Sequence, residues 1–232
     1  KKGLLISATG TGKTYASAFA LKAIQPKRAL FLVHREQIAR KSLESYRHVM
    51  GQSYTYGVFI GQQQETDRDI VFATMQTMVK HLNDGTFAPT EFDVIVIDEV
   101  HRAGAASYDR IMQHFKPKLW FGMTATPERP DGFDVYGLFG NYILTEIRLQ
   151  QALANDLLCP FHYFGISGLS VNDKDYEAKD FSKLASDDRV EHILKQSAYY
   201  GYSGVRLKAL VFCSSNEEAR LLSEKFNSRG LR

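Results

Sequence analysis

Cysteine is scarce in this sequence: Cys159 and Cys213 are the only two, far apart and each in an apolar stretch. That excludes a disulfide scaffold, and two buried thiols in a reducing cytoplasm are expected, with a single disulfide as the alternative. No apolar run is long enough to form a helical membrane span, and no secretory signal pattern is read in the opening residues. There is no internal repeat. Excess charge is also lacking: a net +3 is too small to make the whole chain a polyanion binder, so any basic track for nucleic acid must be local. What remains, at 44% hydrophobic and 24% charged residues, is an ordinary globular composition. The 232 residues suit one large domain or two small ones. The chain opens at Lys1 without an initiator Met, almost on its first strand, and stops at Arg232 just past a helical pattern, so a piece of a longer protein is expected.

The stretch that organises the chain is Ser7-Ala8-Thr9-Gly10-Thr11-Gly12-Lys13-Thr14. Before it, Gly3 to Ile6 reads as a buried strand. After it, Tyr15 to Ile24 reads as a helix that ends before Pro26. Strand, glycine loop and helix are the context in which a phosphate-binding loop works. Gly10 and Gly12 allow backbone N–H groups to converge on an anion, and the helix aims its positive end there too. Thr9 and Thr11 complete the cradle. Lys13 would reach the outer phosphates, and the Thr14 hydroxyl would ligate Mg²⁺. The general pattern asks for Gly where this chain has Ser7. The competing reading is an ordinary glycine turn.

Further along, Ala29 to Val33, Tyr54 to Ile60 and Ile70 to Ala73 read as strands. Helices are expected from His34 to about Met50 and from Thr74 to Leu82, with a polar loop over Gly61 to Arg68. Asp93 to Ile97 is continuous and β-branched without polar alternation, as in a central parallel strand covered on both faces. Ser107 to Phe115 reads as a helix, and Leu119 to Met123 as another buried strand, in which Trp120 is expected to pack in the core. The alternation predicts an α/β fold with a parallel sheet between helices. Ile147 to Leu157 and Arg189 to Tyr200 look helical, and Phe161 to Ile166 suits a strand. Gly168 to Asp188 is acidic and suits a linker. Lys208 to Cys213 restarts the strand pattern, and Asn216 to Phe226 follows as a helix. The expected division is a first domain over 1–146, a connector over 147–204 and the start of a second domain over 205–232.

Asp98 and Glu99 end the clearest strand, and in open α/β sheets that end lines the ligand crevice. Asp98 would hold Mg²⁺ with Thr14, and Glu99 would face the attacking water. The competing reading is two solvated acids. Asp98-Glu99-Val100-His101 resembles the DExH box of superfamily 2 helicases and translocases, and Ala8 to Thr14 resembles their phosphate loop. Thr124-Ala125-Thr126-Pro127 is similar to their third motif, Val33 to Gln37 to motif Ia, Ala73 to Thr77 to the next nucleic-acid motif, and Val211 to Ser215 to motif IV. Among that superfamily the sequence looks most like the helicase subunits of type I and type III restriction enzymes and related bacterial DEAD/DEAH-like helicases. Thr126 to Gly132 and Arg148 to Leu153 add to the likeness.

The resemblance implies a RecA-like P-loop domain followed by the start of a second one, ATP and Mg²⁺ as cofactors, and a nucleic-acid partner, DNA rather than RNA. It implies roles in catalysis for Lys13, Asp98, Glu99 and His101, the histidine sensing nucleotide across the domain cleft. It implies coupling by Thr124 and Thr126, and backbone contacts from Arg35, Thr74 and Gln76. Nuclease or specificity domains would lie outside this chain. The family's later motifs, including an arginine that stabilises the transferring phosphoryl group, would lie beyond residue 232, so slow turnover is expected of this chain alone. The alternative is a non-motor P-loop switch or scaffold.

Overall fold

The computed structural model describes residues 1–102, 106–165, 170–171, 174–175, 186–202 and 204–231. They form two compact units, Lys1–Phe161 and His162–Arg232. In the first, the strands are β1 (Lys2–Ser7), β2 (Ala29–Val33), β3 (Tyr56–Ile60), β4 (Gln63–Gln64), β5 (Ile70–Thr74), β6 (Val94–Ile97), β7 (Leu119–Thr124) and β8 (Ile143–Ile147). Between them run α1 (Lys13–Ile24), α2 (Glu36–Met50), α3 (Met75–Lys80), α4 (Ala106–His114) and α5 (Val135–Leu138), and α6 (Leu149–Ala154) follows β8. The eight strands make one sheet in the order β4-β3-β5-β2-β6-β7-β1-β8. Every pairing is parallel except β3 with β4.

The apolar runs become central strands because both faces of the sheet are covered. Along β6, Ile95 and Ile97 point into one buried cluster, while Val94 and Val96 point into another. Along β2, Leu30 and Leu32 join the first cluster, and Ala29, Phe31 and Val33 join the second. A side-chain period of two on an all-apolar strand thus feeds two cores at once. Trp120 is buried in the first of them, as its place in an apolar strand predicts. Gly122 in β7 is needed for close approach: a Cβ there would lie 2.4 Å from the ring of Phe139. Adding that methyl costs about 1–3 kcal/mol of overpacking.

Several local expectations are corrected. Residues 143–146, unassigned by pattern, and Ile147, expected to open a helix, form the parallel edge strand β8, and the helix begins only at Leu149. The polar stretch after Ile60 contains the short antiparallel β4. Residues 161–165, expected to open a strand, are non-regular and exposed; Ile166 lies outside the described residues. Cys159, just before them, is accordingly exposed rather than buried, Cys213 is half-buried, and both thiols are free.

The second unit contains a two-stranded antiparallel pair, β9 (Ser170–Val171) and β10 (Lys174–Asp175), then α7 (Asp187–Tyr200) and α8 (Asn216–Ser228). The rest of the acidic stretch before Ser186 lies outside the described residues. Ser186 and Ser215 cap the two helices by accepting N–H groups from Arg189 and Glu218. Val190 and Leu222 form a small core between the helices. Residues 208–213 are not a strand, and Leu210 and Phe212 are about nine-tenths exposed, at 88% and 94%. An isolated apolar run has no ladder to join: among the described residues of this unit no strand pairs with it.

Candidate active site

The strands β1, β2, β5, β6 and β7 run parallel, so their carboxyl ends share one rim. At the end of β1 the chain turns through Gly10 and Gly12, whose φ angles of 91° and 84° lie in the left-handed region that favours glycine. Gly12 then caps α1 without a side-chain bond, and no acidic residue sits in the first helical turn. The opening N–H groups and the positive helix end are therefore directed at an outside anion. Ser7 is explained here. The residue is 4% exposed; its hydroxyl bonds the Thr11 hydroxyl at 2.5 Å, and Thr11 donates to the Ala8 carbonyl at 2.6 Å. A serine thus closes the loop from inside, where the general pattern has a glycine.

Lys13 folds back across the loop, its Nζ donating to the Ser7 carbonyl at 3.1 Å. Thr14 is half-buried, and its carbonyl accepts from Ser17 Oγ at 2.8 Å. Ser17 in turn accepts from the hydroxyl of Tyr46 on α2, also at 2.8 Å. This buried relay fixes the start of α1 against α2. Sequence reading missed it, since its two hydroxyls sit in helices twenty-nine residues apart.

At the end of β6, Asp98 is half-buried and its carboxyl is pushed up to about 6. Burial is the main cause, followed by the charge of Glu99; the Glu99 N–H bond and the charge of Lys13 oppose it. Lys13 and Asp98 therefore lie within electrostatic reach of each other on the same rim. Glu99 has φ 52°, a left-handed conformation rare for a residue with a side chain. Such strain, of order 1–3 kcal/mol, is held by its surroundings and is characteristic of functional turns. The turn continues through a single 3₁₀ turn, Val100–Arg102.

That turn meets the end of β7. His101 Nδ1 lies 3.1 Å from Glu99 Oε2 and 3.0 Å from Thr124 Oγ1. Thr124 is fully buried and its hydroxyl also accepts the Thr126 N–H at 3.1 Å, while Thr126 itself is exposed. Arg129, further along the same loop, donates to the His101 carbonyl and to Asp131, with its guanidinium over Phe133. The sequence marked this arginine only by likeness; the charge-rich run Glu128 to Asp131 was the available signal.

The other candidate residues sit on the β2 and β5 side of the rim, where Val33 pairs with Thr74. Arg35 is exposed and stands just before α2, without a side-chain bond to the helix start. Thr74 is 5% exposed; its hydroxyl caps α3 by accepting the Thr77 N–H and bonds Thr77 Oγ1 at 2.8 Å. Its side chain is thus committed to the helix start, and the exposed group at that start is Gln76. The chemistry of the donor set at the other end suits Mg²⁺: one hydroxyl, Thr14, and one carboxylate, Asp98, leave positions for water and phosphate oxygens.

A family model described as the type III restriction enzyme res subunit matches residues 1–129. The chain belongs to that family. This res-family chain is 27% identical over 249 aligned positions to the Escherichia coli "Type I restriction enzyme EcoAI endonuclease subunit", covering 93% of the chain and 30% of that subunit. It therefore spans less than a third of that relative. Among solved structures, the type ISP restriction-modification enzyme LlaGI, as a nuclease-deletion mutant with a DNA substrate mimic, matches with a TM-score of 0.52 and 21% identity over 84% of this chain and 20% of that one. Saccharomyces cerevisiae Dbp5 bound to RNA and ADP BeF3 matches with a TM-score of 0.62 and 15% identity, over all of this chain and 57% of that one. At these identities the structural likenesses establish the fold of the res-family chain, that of RecA-like helicase domains. Among the described residues no helix is long and apolar enough to cross a membrane.

Proposed function

We propose that the whole protein is an ATP-driven motor on nucleic acid, and that this chain supplies its nucleotide-binding RecA-like domain, a connector and the opening of a second such domain. The observation that carries the proposal is the meeting, on one sheet rim, of an open phosphate loop and an acidic pair whose Asp98 feels the charge of Lys13.

In this reading the N–H groups from Thr9 to Thr14 cradle the phosphates, and Lys13 leaves the Ser7 carbonyl to pair with the outer ones. Thr14 and Asp98 would hold Mg²⁺, which would supply charge neutralisation at the phosphates. Glu99, held by His101, orients the attacking water and takes up its proton. His101 and Thr124 carry the state of the site to the loop after β7, ending at the exposed Thr126. Arg35 pairs with a strand phosphate, and Gln76 adds a neutral hydrogen bond, while Thr74 serves by holding the start of α3. Such contacts follow the backbone and read no sequence, which suits a motor. DNA is the favoured track because the Escherichia coli relative is a restriction-enzyme subunit and the LlaGI structure holds a DNA substrate mimic.

The test is ATP turnover by the whole protein with duplex DNA, single-stranded DNA, RNA and no nucleic acid. DNA is expected to stimulate turnover most, and Lys13→Ala to remove the stimulated rate. Stimulation by RNA alone would reassign the track. Turnover indifferent to every nucleic acid would contradict the motor.

A further inference from the structure

The charge cluster around Arg148 has no part in holding nucleotide or nucleic acid in the account above. Arg148 follows β8 directly and stands just before α6, without a side-chain bond to the helix start. Its guanidinium forks onto Glu128, with Nη1 donating to Oε2 at 2.9 Å and Nη2 to Oε1 at 2.6 Å. Its Nε donates to Glu146, and Nη2 also donates to the Tyr136 hydroxyl at 2.9 Å. That hydroxyl donates onward to Glu128 Oε1 at 2.9 Å. The guanidinium holds the Glu128 carboxyl at about 2, well below the usual carboxylate range.

A surface ion pair alone is worth little. This one is set apart by what stands at each end. Glu128 belongs to the loop after β7, and its neighbour Arg129 donates to the His101 carbonyl in the acidic turn. Arg148 follows Ile147, whose carbonyl accepts the Ala8 N–H of the phosphate loop at 2.9 Å. Beyond α6, Leu158 lies against the same loop, where a Cβ at Gly10 would be 3.0 Å from its Cδ2. The acidic turn, the loop after β7 and the phosphate loop thus come together through one bidentate pair. A planar fork fixes orientation as well as distance, which a lysine ammonium cannot do.

We infer that Arg148 is a positioning residue, whose fork on Glu128 locks the loop after β7 to the β8–α6 junction bracing the phosphate loop. Movement of one loop then reaches the other. The inference rests on the motor reading, and its test has one arm that needs no turnover.

Arg148→Met, Glu128→Gln and the double variant are compared with wild type in the whole protein. Hydrogen exchange is followed by mass spectrometry, and ATP turnover is measured with and without DNA. Each single change is expected to quicken exchange over residues 7–12 and 124–132 while β2, β5 and β6 keep their protection. Each is expected to lower DNA-stimulated turnover by roughly 10-fold, the scale of a misplaced but intact catalytic group, with the KM for ATP unchanged. The double variant should cost no more than either single one, as for two groups acting as a unit. Additive losses, unchanged stimulation, or exchange that quickens throughout the sheet would overturn the inference, the last because it marks simple loss of stability. Wild-type turnover indifferent to DNA would overturn the motor reading and the coupling with it, with the exchange arm still reporting on the pair itself.

Discussion

Glu99→Gln is expected to leave nucleotide binding intact and to lower nucleic-acid-stimulated ATP turnover by ~10²–10⁴-fold, the usual worth of a positioned general base. The carboxylate sits two residues past the end of β6, in a turn where Glu99 has φ 52° and its Oε2 lies 3.1 Å from His101 Nδ1. Glutamine keeps the shape and can still bond the imidazole, so the turn should hold. It cannot take up a proton. The check is a pair of measurements on the same preparation: affinity for a fluorescent ATP analogue, and steady-state turnover with saturating DNA. Turnover near the wild-type rate would remove Glu99 from the water-activating role.

Asp98→Asn is expected to act in two opposite directions. In the presence of Mg²⁺ it should weaken nucleotide binding and abolish turnover, since it removes the carboxylate proposed to hold the metal. In the absence of divalent metal it should stabilise the fold. Burial and the neighbouring Glu99 raise the Asp98 carboxyl from 3.8 to about 6. At ~1.4 kcal/mol for each tenfold change, the native state gives up about 2–3 kcal/mol to keep this group ionised at pH 7. The sign follows from proton uptake. Between pH about 4 and 6 the native carboxyl holds a proton that the unfolded one has released, so this residue's penalty is full above about 6 and fades as the pH falls toward 3.8. Denaturant unfolding in EDTA should therefore show Asp98→Asn more stable than wild type at pH 7.5, with the gap narrowed to about a third by pH 4.5. The comparison between variant and wild type cancels the other carboxylates. An equal or lower stability at pH 7.5 would mean that the site does not strain this acid. A cost of this kind is common where a site is built for a ligand rather than for the bare fold.

The parts of the site that were legible in the sequence are those made by neighbours in the chain. The phosphate loop is a glycine turn between a strand and a helix, and every conformational requirement is met within eight residues. The acidic pair ends a run so uniformly apolar that only a doubly covered parallel strand fits it. The parallel sheet then brings the two together without further information, because all its strand ends share a rim. What could not be read depends on partners distant in sequence. The strand β8 is mostly exposed along Ile143, Leu144 and Thr145, so it lacks both the alternation and the apolar continuity by which strands are recognised. The opposite error occurred at Lys208 to Cys213, where an apolar run of strand length has no neighbouring strand to pair with among the described residues. Thr74 was placed with Gln76 as an outside contact, yet its hydroxyl is turned inward on Thr77; the Thr-x-x-Thr spacing was the clue to a cap. Arg148 and Glu128 are twenty residues apart, and only the folded chain shows that they are a pair.

The central claim is that the phosphate loop and the acidic pair enclose one divalent metal beside a triphosphate. Its most direct test is anomalous diffraction from crystals of the protein with Mn²⁺ and a non-hydrolysable ATP analogue. The account predicts a single strong manganese peak between the Thr14 hydroxyl and the Asp98 carboxylate, in contact with the β- and γ-phosphates, with Lys13 Nζ withdrawn from the Ser7 carbonyl onto the same phosphates. Nucleotide bound elsewhere, or manganese remote from both Thr14 and Asp98, would contradict it.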